Sequence, residues 1–211
     1  MKISNAAYFF TIAATLCVIS SQVSYAQSAY RIDPNSARLI LHGTSTLHGW
    51  TMTARGFTGD AVLVVDSGTI EQLSSLNVTI PVRSLKGENS EMDENAYTAL
   101  KATEFSEIAF QLNSANISPH GKDVFAIAAH GNVFVAGVAK FITLDATARL
   151  ERDSTISITG STTLKMSDFQ IQPPSFMLGA MKTGNEVTLE FVVTLRKKAC
   201  PLPQPFGIPL A

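Results

Sequence analysis

The chain has 211 residues, with 16 Lys and Arg against 17 Asp and Glu, a formal net charge of −1 and 45% hydrophobic residues. So even a balance argues against nucleic acid as a partner, because that binding is driven by Lys and Arg neutralising phosphates. Cysteine occurs twice, at Cys17 and Cys200, too far apart in role (as shown next) to form a disulfide framework.

Residues 1–26 read as a secretory signal peptide. Lys2 supplies the positive start, Ala6 to Ile19 is apolar and uncharged, and Ser24-Tyr25-Ala26 offers small residues at a cleavage site after Ala26. Leu16 precedes Cys17 where a lipid-modified cysteine wants Gly, Ala or Ser, so Cys17 leaves with the leader. The rest divides into one domain, 27–198, and a tail, 199–211, that is uncharged and holds four of the nine prolines. No later apolar run is long enough to span a bilayer, so no integral span is expected after cleavage. The expected location is periplasmic or secreted.

Within the domain, Tyr30 to Pro34 makes a short strand, and Leu39 and Leu41 then alternate with Arg38, Ile40 and His42. Gly43 to Gly49 is a bulged strand or a turn. Trp50, Met52 and Ala54 share a face, and Ala61 to Val65 runs into an Asp66-Ser67-Gly68 turn. Leu76, Val78, Ile80 and Val82 alternate with Asn77, Thr79, Pro81 and Arg83, where Pro81 suggests an edge or a bulge. Ser90 to Lys101 changes period. It has Ser90 as a cap, acids at its start, and Met92, Ala96, Tyr97 and Leu100 on one side, as in a helix of about three turns.

Strands resume with Ile108, Phe110 and Leu112, then a turn at Pro119-His120-Gly121 and a long apolar strand, Val124 to Val135. Ile142, Leu144, Ala146 and Ala148 follow, then Ile156, Ile158, Gly160, Thr162, Leu164 and Met166. The last strand, about Glu186 to Lys197, sets Val187, Leu189, Phe191, Val193 and Leu195 against Thr188, Glu190, Thr194 and Arg196, and only Val192 breaks the pattern.

A period of two means strands with one dry face. Short connections make the pairing antiparallel. The expectation is an all-β, antiparallel up-and-down barrel of about eight strands with one short helix, a size that is either filled by side chains or holds one small ligand. The dry faces place Leu41, Trp50, Val78, Ile80, Phe110 and Leu112 on the lumen. Leu144, Ile158, Leu164, Leu189 and Phe191 join them from the second half. The segment Ile171 to Gly184 is expected at the mouth, because Phe176, Met177 and Met181 lie in an uncharged run that a solvated loop would not carry. A short wall strand is the other reading of it.

No motif points to catalysis. There is no Gly-x-Ser-x-Gly elbow, phosphate loop or zinc motif. His42 and His48 lie about 20 Å apart along extended chain and could co-ligate a metal only if Gly43 to Leu47 folds back. They, His120 and His130 read as surface or strand histidines, and Asp33 and Asp168 have no neighbouring base in sequence. Cys200 is an isolated thiol. Neither cofactor nor metal is expected.

The order of elements resembles the YceI-like family of exported, polyisoprenoid-binding, lipocalin-like proteins. The resemblance rests on Tyr30-Arg31-Ile32-Asp33-Pro34-Asn35-Ser36, Gly43 to Trp50, and Leu76 to Val82 followed by the helix, Phe105 and Ile108-Ala109-Phe110. Lys165 to Phe169 and Gly184 to Val187 are similar to its closing blocks. The helix lacks the basic residues often seen there, and the tail lies outside the pattern. The resemblance implies a non-enzymatic carrier or store whose lumen holds a long isoprenoid or related fatty lipid. A filled-core structural or partner-binding domain and an enzyme acting on an apolar substrate are the other classes open at this point.

Overall fold

The structure is a computed structural model that describes residues 27–176 and 181–198. The expected signal peptide (residues 1–26), the Pro-rich tail (199–211) and Met177 lie outside the described residues. Among the described residues eleven strands and one α-helix follow in order. They are β1 (Gln27–Ile32), β2 (Arg38–Ser45), β3 (Gly49–Arg55), β4 (Thr58–Asp66), β5 (Thr69–Pro81), α1 (Ser90–Ala99), β6 (Glu107–Gly121), β7 (Val124–Val135), β8 (Val138–Leu150), β9 (Ile156–Lys165), β10 (Ser175–Phe176) and β11 (Met181–Lys197).

Ten of these strands make eight staves, and β10 only pairs β11 off the ring. β1 and β2 both lie antiparallel along one edge of β11, Ile32 opposite Leu195 and Arg38 opposite Val192, so they form one stave broken at residues 33–37. β3 pairs β2 while β4 pairs β1 and β5, which makes a second broken stave with its kink at Gly56 and Phe57. β5 to β9 then run as a meander and β9 returns to β11, closing the ring. Closure removes the exposed sheet edge that would otherwise template aggregation. Two of the hairpin turns are two residues long with both φ angles positive, Ser67-Gly68 and Ala136-Gly137, the geometry that matches strand twist.

The break at 33–37 is tied down by Asp33. Its carboxylate accepts from the Asn35 amide at 3.0 Å and from Arg196 Nε at 2.8 Å, and its own amide donates to Thr194 O at 2.8 Å. Arg196 first, and then the Asn35 amide, hold the Asp33 carboxyl below the usual carboxylate range. A depressed folded-state value means the contribution is present at neutral pH and lost as pH falls through that value. Asp33→Asn should therefore lower the melting temperature at neutral pH and flatten its fall on acidification. An unchanged slope between about pH 5 and pH 2 would show the corner is not tied this way.

Several local expectations shift. The helix cap is Asn89, not Ser90: Asn89 is extended and its side chain accepts from Met92 N at 2.9 Å. Asn is as good an acceptor there as Ser, so sequence alone puts the start one residue late. Pro119 to Gly121 continues β6 rather than turning, and the turn falls at Lys122 and Asp123, with Asp123 at φ 58°. Pro81 ends β5, where its missing N–H costs no ladder bond. The last strand starts at Met181, five residues earlier than expected, because it also pairs β10 and the end of β2.

Candidate functional site: an apolar cavity with a polar mouth

The two ends of the barrel differ. At the end formed by the 66–69, 121–124 and 150–156 turns, Ile32, Leu63, Ile70, Ile156 and Leu195 are fully buried against one another's strands. Toward the other end the inward side chains are only half-buried and enclose a cavity of about 610 Å³. That volume is in the range of small-molecule sites.

Leu41, Trp50, Val78, Ile80, Phe110, Leu144, Ile158, Leu164, Leu189 and Phe191 all line it, as their parity requires. Leu112 does not. It is half-buried beside a bulge at Asn113, where the β6–β7 register shifts and the inward parity changes from Leu112 to Ala115. One extra residue reverses the facing of all that follows. The side chains of Phe176, Met177 and Met181 lie outside the described ones; the backbone of Ser175 and Phe176 forms a two-residue strand against Met181 and Lys182. Pro174, Lys182 and Thr183 reach the cavity from this hairpin. Strand parity did not single out Phe169 and Ile171, which with Met166 line the cavity from a 3-10 turn (Met166–Phe169) and the residues after it. Such turns have no long period to read.

Three aromatic rings lie flat on the wall, each over a glycine of the neighbouring strand. Trp50 lies over Gly43, Phe110 over Gly131 and Phe191 over Gly160, where any Cβ would overlap the ring. The glycines let large side chains cover the wall without crossing the lumen, which is how an interior this aromatic stays open. The Trp50 indole N–H donates to Thr44 O at 3.1 Å, which fixes its plane.

Polar groups on the cavity collect at the open end. Ser45 and His48 come from the β2–β3 turn, Asn89, Glu91 and Asn95 from α1, Lys165 from the end of β9, and Lys182 and Thr183 from the start of β11. Only Thr162 stands further in. α1 sits across this end, with Met92, Ala96, Ala99 and Leu100 toward the cavity. Tyr97, grouped with these by spacing, is instead buried among polar partners, its hydroxyl within 2.8 Å of Lys86 Nζ and of Leu85 O.

The histidines remain apart. His42 and His130 bond the threonine side chains of Thr51 and Thr143, and His48 Nδ1 bonds Gly49 O. Among the described residues no group of three or more His, Cys, Asp or Glu could hold a metal ion. Nor is any helix long and apolar enough to cross a membrane.

The family model for the YceI-like domain matches residues 30–195, which span the barrel and its helix. The chain belongs to the YceI-like family. Its fold is similar to that of BcnA from Burkholderia cenocepacia, at 16% identity and a TM-score of 0.63, over 77% of this chain and 98% of that one. It is similar as well to a polyisoprenoid binding domain from Saccharophagus degradans implicated in plant cell wall breakdown, at 12% identity and a TM-score of 0.62, over 81% and 99% of the two chains. No curated protein matches the chain. Among YceI-like barrels, this one thus has a dry interior, a polar mouth and a helix over the mouth.

Proposed function

We propose that the protein is an exported, non-enzymatic carrier or store of a long-chain isoprenoid or related lipid, with the tail in the cavity and its end at the mouth. The open, apolar interior carries this reading. A packed partner-binding domain would have no such space, and an enzyme would need reactive groups converging deep inside, where among the described residues Thr162 is the one polar side chain on the wall. The polyisoprenoid binding named for the Saccharophagus degradans relative supports the same ligand class. Export rests on the leader at residues 1–26.

Magnitudes agree. Each buried CH₂ contributes about 0.8 kcal/mol, so about twenty give roughly 16 kcal/mol, against an association cost of about 4–15 kcal/mol. No charged anchor is needed.

The chain's one tryptophan is Trp50, on the cavity wall. Titration with a long-chain isoprenoid alcohol should shift Trp50 emission and saturate near one equivalent. Emission that stays put while the same alcohol fails to be retained on gel filtration would refute the proposal.

A further inference from the structure

The barrel wall has one weak seam. Among the described residues β3 is laddered only to β2. On its other side it makes a single bridge, Thr53 N to Lys86 O at 2.8 Å and Lys86 N to Thr53 O at 2.9 Å. The loop 85–89 and α1 stand where a strand would continue. The inner face of α1, Met92, Ala96 and Ala99 with Leu100 at its end, is only half-buried against the core and borders the cavity. Burial therefore holds this helix less firmly than it holds the strands at the closed end.

Polar contacts hold it instead. Asp93, the only charged residue buried among the described ones, accepts from the Gly87 amide at 2.7 Å and from Lys86 Nζ at 3.0 Å. Tyr97 OH accepts from Lys86 Nζ at 2.8 Å and lies 2.8 and 3.0 Å from the carbonyls of Leu85 and Arg83. The Lys86 ammonium and Arg83 guanidinium also sit 5.2 and 5.1 Å from the Tyr97 ring centre. Every one of these bonds joins α1 to the segment 83–87 that carries the seam.

We infer that α1 with residues 85–89 is the door of the cavity, opening at the seam beside β3, and that Lys86, Asp93 and Tyr97 are positioning residues that set how fast ligand passes. The inference rests on the ligand-binding reading above. Opening here breaks two backbone bonds and the Tyr97 contacts with Arg83, whereas opening between any two laddered staves breaks a whole row. The bonds of Asp93 and Tyr97 to residues 85–87 make helix and loop move as one, and without them α1 lifts on its own. A ligand under α1 supplies the apolar contacts the empty cavity lacks, so the door is tighter when loaded.

A redox pair tests it. Thr53 and Lys86 exchange both backbone bonds, a pairing with Cα atoms about 5.5 Å apart, within disulfide reach. The full chain with Cys17→Ser, Cys200→Ser, Thr53→Cys and Lys86→Cys is loaded with N-phenyl-1-naphthylamine and mixed with phosphatidylcholine vesicles, and the loss of fluorescence is timed. The oxidised form should release the probe at least about tenfold more slowly than the same protein reduced. Equal rates with probe bound in both forms would overturn the door and leave the cavity reading standing. Failure of the unaltered protein to take up the probe would overturn both. Asp93→Asn and Tyr97→Phe, with Thr53 and Lys86 native, should release it about three- to tenfold faster. A lowered melting temperature with an unchanged release rate would make the cluster merely structural and overturn its assigned role.

Discussion

Replacing Leu195 with alanine should cost about 2–5 kcal/mol, while the same change at Leu189 should cost about 1 kcal/mol or less. The two residues share a strand, an inward parity and a side-chain type. Leu195 is 1% exposed and only closes the far end of the cavity, with most of its side chain packed, whereas Leu189 is half-buried; truncating Leu195 therefore leaves a void among rigid neighbours. Leu189 lines the cavity. Shortening it enlarges a space already present and removes only the contacts on its flanks. In a domain of this length each kcal/mol moves the melting temperature by about 2–4 °C, so the two variants separate clearly in thermal unfolding. Equal losses would mean that the interior is packed along its whole length.

Gly43→Val should cripple ligand binding and leave the barrel folded. Gly43 faces Trp50 across the β2–β3 pair, and the three nearest atoms that an added Cβ would meet all belong to the indole ring. At Gly131 and Gly160 a backbone carbonyl, of Gln111 and Asp145 respectively, stands in the way as well, so those positions test folding more than binding. At Gly43 the ring must swing off the wall and into the space a ligand tail would occupy. Overpacking of this kind costs about 1–3 kcal/mol, which is about five-fold to over a hundred-fold in affinity if it falls on binding. Binding of the same probe to Gly43→Val and to the parent, with far-ultraviolet circular dichroism as the check on folding, decides it. Undiminished binding would mean that the indole does not border the ligand.

Much of this barrel was legible as parity. Val187 to Leu195 alternates so cleanly that the cavity wall and the closed-end core could be read from the one strand, and Leu41, Phe110 and Leu144 followed the same rule. The rule failed where one residue is out of step. The Asn113 bulge moves the inward parity from Leu112 to Ala115 and Ile117, and nothing local in Leu112-Asn113-Ser114 marks it. Contacts between distant residues were equally silent: Arg196, the partner of Asp33, lies 163 positions away. Tyr97 fits an apolar helix stripe by spacing, yet its hydroxyl is the hub of a polar cluster whose other members come from 83–87. The wall glycines were visible as letters, but their purpose depends on which ring lies opposite, and register alone supplies that.

The central claim is that the cavity holds an apolar tail. Mass spectrometry of an organic extract of the protein, purified without detergent from the cells that export it, tests that most directly. The account predicts one long-chain isoprenoid or related lipid near one molecule per chain, lost or sharply reduced in Gly43→Val purified in the same way. An extract carrying no apolar molecule above the level of a control protein, together with a parent that cannot be loaded afterwards, would contradict it.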